Sequence, residues 1–129
     1  MISKHIFTTL RDSVTGLDAG AGKYHIYPKK VPDAVTFDKA VVYNKISSTP
    51  TYSQLGVRVQ LTCVAKTYLG AEELSHEIAT VFRNKQYGGG ADDVLYTSVL
   101  DITDLPQDEE SDYYLVAITI YIKTRQAIG

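Results

Sequence analysis

A change in hydrophobic period near residue 68 constrains the fold of this chain more than any other feature. From residue 55 to residue 65 every second residue is apolar, which is the alternation of a strand with one buried face. Beyond that point the apolar residues recur at helical spacing, with glutamates on the opposite side: Ala71, Leu74, Ile78, Val81 and Phe82. A strand that leads directly into an amphipathic helix predicts a helix packed across a sheet.

The rest of the chain adds a first helix and three more strands. Ile2, Ile6 and Leu10 lie four residues apart and predict a short amphipathic helix. Strands are predicted at 40–47, 55–66, 94–103 and 113–123, a second helix at 69–86, and an extended connector at 23–37. This α-β-β-α-β-β order predicts an α+β fold, in which a four-stranded, mostly antiparallel sheet carries two helices on one face. Its expected core is Val57, Val59, Leu61, Leu74, Ile78, Phe82, Val116, Ile118 and Ile120.

Length and composition restrict the class of protein. The 129 residues predict one domain, 1–129, with one core. A net charge of −2 gives no general attraction for nucleic acid or for an anionic membrane. No apolar run approaches the ~18 residues of a membrane span, and the first residues do not resemble a secretory signal. A single cysteine, Cys63, provides neither a disulfide framework nor a metal cluster. These features predict a soluble protein from a reducing compartment.

The sequence contains no pattern that is typical of an enzyme. Glycines 88–90 follow a helix, whereas a phosphate-binding loop precedes one, so we interpret them as a helix cap. His5, His25 and His76 lack the spacing of metal ligands, and the paired carboxylates are expected on wet surfaces. We therefore expect no catalytic residue, no metal site and no cofactor.

One sheet face is expected to be unusually apolar. This face, turned away from the predicted helices, is called the open face below. An antiparallel sheet covered on one side normally has a polar second face. The apolar residues assigned to it here are Val41, Tyr43, Val64, Tyr113, Leu115, Ala117 and Tyr121. They indicate either a contact with another chain or apolar side chains exposed without function. The candidate interface residues are Tyr43, Tyr113, Leu115 and Tyr121.

The second unusual feature is a run of acidic residues between the last two predicted strands. Six carboxylates occur within twelve residues that include no lysine or arginine: Asp101, Asp104, Asp108, Glu109, Glu110 and Asp112. A solvated loop accounts for this run, and so does a surface that faces a partner or repels a polyanion. The candidate acidic loop comprises Asp104, Asp108, Glu109, Glu110 and Asp112.

Several short motifs resemble a known family. The segments VVYNKISSTPTYS, at 41–53, and RVQLTCVAKTYLGAEELSHEI, at 58–78, are similar to the middle of the tail-completion, or tail-terminator, proteins of long-tailed bacteriophages, prophages and gene transfer agents. The matching motifs in order are Ile26-Tyr27-Pro28, Val42-Tyr43, Ser48-Thr49-Pro50-Thr51-Tyr52, Arg58-Val59-Gln60-Leu61 and 68–74. The likeness covers nearly the whole chain, although Asp38-Lys39 replaces a frequent proline and the acidic loop is longer.

The resemblance implies a structural role in the virion. Such proteins form a homohexameric ring that caps the tail tube, ends its polymerisation and joins the tail to the head-neck complex. The implied partners are other copies of the chain, the tail tube protein and a connector or stopper protein, with DNA only passing through the ring and no membrane. The implied location is the tail end near the neck, after assembly in the host cytoplasm. A ring formed by rotation needs two different contact surfaces on each subunit.

Two other functions remain open at this level. A small α+β domain that binds a ligand or acts as an enzyme would require a polar cluster in a concavity. A nucleic-acid-binding domain would use Tyr43, Tyr113 and Tyr121 as stacking platforms, with Arg58, Lys45 and Lys123 near the phosphates.

Overall fold

The computed structural model describes residues 2–14, 16–20, 22–29, 31, 37–50, 54–86, 94–106 and 113–125. These residues form two helices, α1 (Ile2–Ser13) and α2 (Tyr68–Phe82). They also form eight strands: β1 (Asp18–Gly20), β2 (Lys23–Tyr24), β3 (Ile26–Pro28), β4 (Lys39–Pro50), β5 (Gln54–Ala65), β6 (Lys85–Gln86), β7 (Val94–Leu105) and β8 (Tyr114–Arg125). Glycines 88–90 and the acidic residues 108–112 lie outside the described residues.

Six of the described strands form one sheet in the order β3-β4-β5-β8-β7-β6, and β1 pairs with β2 separately. Neighbouring strands of the large sheet are antiparallel except for the parallel pair β3 and β4. The predicted α+β fold with a four-stranded sheet is therefore wrong, because the described chain is mostly β and its sheet is mixed and six-stranded.

The missing strands are the short ones at the two sides of the sheet. β3 has three residues and β6 has two, which is too short for a hydrophobic period to show in the sequence. Residues 85–86 were also predicted as the end of the second helix. The helix stops at Phe82 instead, since Arg83 is extended and Asn84 has a φ of 44°. Both short strands form because they pair with the backbone of a long strand, β3 with β4 and β6 with β7.

The core lies between α2 and one face of the sheet, called the helix face. Alternate residues of β5 and β8 point to this face, as their period predicts. All nine residues expected in the core are buried: Val57, Val59, Leu61, Leu74, Ile78, Phe82, Val116, Ile118 and Ile120. Ile6 and Leu10 of α1 belong to the same cluster. Thr67 fixes the start of α2, because its Oγ1 accepts a hydrogen bond from the Gly70 amide at 3.0 Å.

The register of β4 corrects the face assigned to Tyr43. Tyr43 pairs with Leu61 and Val41 pairs with Cys63, and residues directly paired across antiparallel strands share a face. Both side chains therefore lie on the helix face, where they pack with the core. Their assignment to the open face is wrong. Residues 40–43 are all apolar, so alternation alone could not decide which residues face which side.

Candidate functional site

An aromatic cluster covers one end of the open face. Phe37, from the connector, stacks on Tyr113 with ring centroids 4.6 Å apart and an interplanar angle of 16°. The Tyr113 hydroxyl donates to the Phe37 carbonyl oxygen at 3.5 Å. Ala40 and Val64 lie beneath, and Leu115 packs at their side. The connector therefore covers part of the apolar surface that the sequence assigned to a partner.

A histidine of the connector packs beside Phe37 in this cluster. His25 lies 5.7 Å from the ring of Phe37, between centroids, and its Nδ1 is 2.8 Å from the Tyr27 hydroxyl. The connector reaches this position because β3 pairs in parallel with residues 41–43 of β4. Tyr113 and Leu115 consequently remain half-buried rather than fully exposed.

Tyr121 occupies the other end of the open face and packs on its own sheet. A Cβ atom placed on Gly56 would lie 2.5 Å from the Tyr121 hydroxyl oxygen and 3.0 Å from two ring carbons. The hydroxyl end of the ring therefore lies over Gly56, and Tyr121 is half-buried. The absence of a side chain at Gly56 provides the space for the ring.

Polar and basic side chains surround Tyr121. Arg58 is its cross-strand partner and is exposed, and Lys123 is paired with Gly56. Between Tyr121 and the aromatic cluster the face is polar, with Gln60 donating to Thr62 at 3.3 Å. The open face therefore has two aromatic ends separated by a polar centre, rather than one continuous apolar patch.

The exposed aliphatic side chains lie mostly at the two sides of the sheet. Among the described residues the large apolar side chains classed as exposed are Ile46, Tyr68, Leu69, Leu100 and Ile102. Ile46 lies in β4 and both Leu100 and Ile102 lie in β7, beyond the parts that β3 and β6 cover. Irregularities in register occur at 45–47 and at 99–101, so Ile46 and Leu100 are each the extra residue of a bulge.

Asp104 is held by the start of α2. The Tyr68 hydroxyl donates to its Oδ2 at 2.6 Å, and this hydrogen bond raises the pKa of Tyr68 to about 12, with a smaller contribution from burial. Asp104 lies in β7, within the sheet, whereas it had been expected in the acidic loop. Asp108, Glu109, Glu110 and Asp112 fall outside the described residues, so their common surface stays a prediction.

The single cysteine of the sequence belongs to the core cluster on the helix face. Cys63 is buried in β5, and burial raises the pKa of its thiol to about 12, which keeps it protonated. Within the described residues no three His, Cys, Asp or Glu side chains converge as metal ligands. The described helices include none with the length and apolar character needed to cross a membrane.

The four candidate interface residues divide between the two faces. Tyr113 and Leu115 lie in the aromatic cluster and Tyr121 lies over Gly56, all on the open face, whereas Tyr43 is on the helix face. Sequence reasoning missed the edges of β4 and β7 that no described strand covers. The signal available for them was the presence of isoleucine and leucine in otherwise polar stretches, at 44–49 and 100–104.

No protein-family model matches the chain, and no curated protein sequence matches it either.

Proposed function

We propose that this chain is a structural virion protein that acts as a tail terminator. In this role it forms a ring on the end of the tail tube, stops tube polymerisation and joins the tail to the head-neck complex. The observation that carries the proposal is the position of exposed aliphatic residues on opposite sides of the sheet, at Ile46 and at Leu100 and Ile102. Exposed apolar side chains on two different surfaces are what a ring subunit requires.

The positions of the sequence motifs that resemble tail terminators support the proposal. Ile26-Tyr27-Pro28 is strand β3, and Ser48-Thr49-Pro50 ends β4. The motif at Arg58–Leu61 lies in the middle of β5, and residues 68–74 start α2. These segments together build one side of the sheet and the helix across it.

Tube assembly in vitro tests the proposed function. Added to the tail tube protein encoded with it, this chain is expected to give shorter tubes with a ring at one end in electron micrographs. Tyr121→Asp should lose capping because it places a charge on a face expected to contact the ring's partners. Tyr121→Phe keeps a ring over Gly56 and should retain capping. Tubes of unchanged length without terminal density would contradict the proposal.

Nucleic-acid binding is the second candidate function. Arg58 and Lys123 flank Tyr121 on the open face, which combines basic groups with an aromatic ring. Filter binding of single-stranded DNA at low salt separates the two functions. Retention of the DNA that decreases at higher salt and in Tyr121→Ala would favour nucleic-acid binding. If no DNA is retained, this candidate is rejected.

The acidic residues are expected to matter only if they face DNA or a partner. Exchange of Asp108, Glu109, Glu110 and Asp112 for Asn or Gln should then alter tail assembly in a salt-dependent way, because carboxylates act over roughly 8–10 Å at physiological salt. Unchanged particle yield at every salt concentration would identify a solvated loop.

A further inference from the structure

Among the described residues, each of the two sides of the sheet is covered by a strand along only part of its length, and the parts without such cover are at opposite ends. β3 pairs only with residues 41–43 of β4, and β6 pairs only with Tyr96 and Thr97 of β7. Within the described chain no strand covers residues 44–50 of β4 or residues 98–105 of β7 on their outer sides. These segments are called the β4 edge and the β7 edge. An uncovered edge presents backbone N–H and C=O groups that can pair with another strand.

We propose that the β4 edge of one copy pairs with the β7 edge of the next copy, so that the sheet continues through the ring. The inference rests on the ring of the proposed function and names its subunit contact. Within one copy β4 and β7 run in opposite directions, since three antiparallel pairings connect them. A neighbouring copy in the same orientation therefore forms an antiparallel pair.

The side chains of the two edges match in one register. Lys45 pairs with Val59 and Asp104 pairs with Val116, so both charged residues lie on the helix face. With Lys45 opposite Asp104, the bulge at Ile46 brings Ser47 opposite Thr103, and both of these lie on the open face. Opposite charges in direct cross-strand positions stabilise a pair of strands.

This register also covers exposed apolar surface. Ile46 is 51% exposed, Leu100 50% and Ile102 37% in the single chain. All three lie on the two edges, so the pairing brings them against a neighbouring backbone and removes them from water. Burial of apolar surface favours association.

The short strands permit the same register. In this pairing β4 ends at Pro50 before it reaches the level of β6, and β7 ends at Leu105 before it reaches the level of β3. The part of each side that is covered within the subunit therefore lies beyond the end of the neighbouring strand. The two stepped sides fit together without overlap.

In size, the offset between copies matches the stagger of a known closed barrel. Asp104 lies level with Val116, Cys63 and Val41 in its own sheet, but opposite Lys45 of the neighbour, four residues further along β4. The described part of each subunit contributes four long strands, β4, β5, β8 and β7. Strand number and stagger are then equal, as in the eight-stranded barrel with shear eight, which gives a strand tilt of ~36°. Rotation closes such a ring and pairs the β4 edge and the β7 edge of every copy.

Disulfide cross-linking of the full chain tests the contact. The double variant Ser47→Cys with Thr103→Cys is expected to give a ladder of covalent oligomers on oxidation, ending at the closed ring, in free protein or on capped tubes. Each single variant is the matched control and should give no ladder, because Cys63 is buried. A double variant that cross-links no more than the single variants, in both states, overturns the inference.

Lysine substitutions provide a second test that does not need the disulfide geometry. Ile46→Lys and Ile102→Lys are expected to weaken self-association by at least ~10-fold, measured by light scattering over a concentration series, since lysine on an exposed edge opposes strand pairing. Thr80→Lys adds the same charge on the exposed side of α2 and should leave the mass unchanged. The comparison is made at concentrations where the unaltered chain self-associates, and equal masses for all three variants there contradict the proposed contact.

The outcomes separate this inference from the proposed function. Capped tubes whose double-cysteine variant does not cross-link would retain the tail-terminator role and reject the edge contact. Cross-linked rings that do not cap tubes would retain the edge contact and reject the tail-terminator role.

Discussion

Replacing Ile118 or Ile102 by alanine compares the stability contributed by a side chain under α2 with that contributed by its cross-strand partner at the side of the sheet. The two residues are directly paired between β8 and β7 and are both on the helix face. Ile118 is 0% exposed, whereas Ile102 is 37% exposed at the side of the sheet. The same substitution is therefore made in one sheet, at adjacent positions that differ mainly in burial.

The expected difference follows from the carbon atoms removed from the core. Ile118→Ala deletes buried γ- and δ-carbons at ~0.8 kcal/mol each and leaves a cavity under α2, for a total of ~3–4 kcal/mol. Ile102→Ala leaves no closed cavity and should cost ~1 kcal/mol in the free energy of unfolding. Urea unfolding followed by circular dichroism at low protein concentration gives both values.

Concentration provides the control for this comparison. At high concentration the proposed edge contact buries Ile102, so Ile102→Ala should also weaken self-association, and Ile118→Ala should not do so while it remains folded. Equal losses of stability for the two variants at low concentration would refute the argument, because they would show that α2 does not bury Ile118 more than Ile102.

Three further predictions concern single side chains. Burial raises the pKa of Cys63 to about 12 from its ordinary 9.0, so we expect the thiol not to react with a disulfide reagent until urea unfolds the chain. The contribution of Cys63 to the free energy of unfolding should be fully present below pH 9.0 and be lost as the pH rises towards 12. Asp104→Asn should lower the pKa of Tyr68 from about 12 towards 10.0, since the hydrogen bond to the carboxylate is lost, and ultraviolet titration against Tyr68→Phe measures it; an unchanged titration would contradict the contact. Gly56→Ala should displace the ring of Tyr121 and destabilise the fold by ~1–2 kcal/mol, and this loss should shrink in a Tyr121→Ala background; additive losses in a double-mutant cycle would show that the ring does not lie there.

The sequence alone determined the central part of this protein. The alternation of β5 and β8 and the helical spacing of Leu74, Ile78 and Phe82 predicted the helix face and its core, because burial on one side leaves a period in the chain. The long strands and the start of α2 were predicted within a few residues of their observed bounds, and the end of α2 was placed four residues late.

The sides of the sheet and the face of Tyr43 follow from pairing between distant strands. β3 and β6 exist because β4 and β7 offer them an edge, and a strand of two or three residues carries no period of its own. The face of Tyr43 depends on its pairing with Leu61, since residues 40–43 are all apolar and satisfy either register. The uncovered halves of β4 and β7, on which the proposed ring contact depends, arise from where those short strands stop. Long-range backbone pairing sets these limits, and a local sequence pattern does not record it.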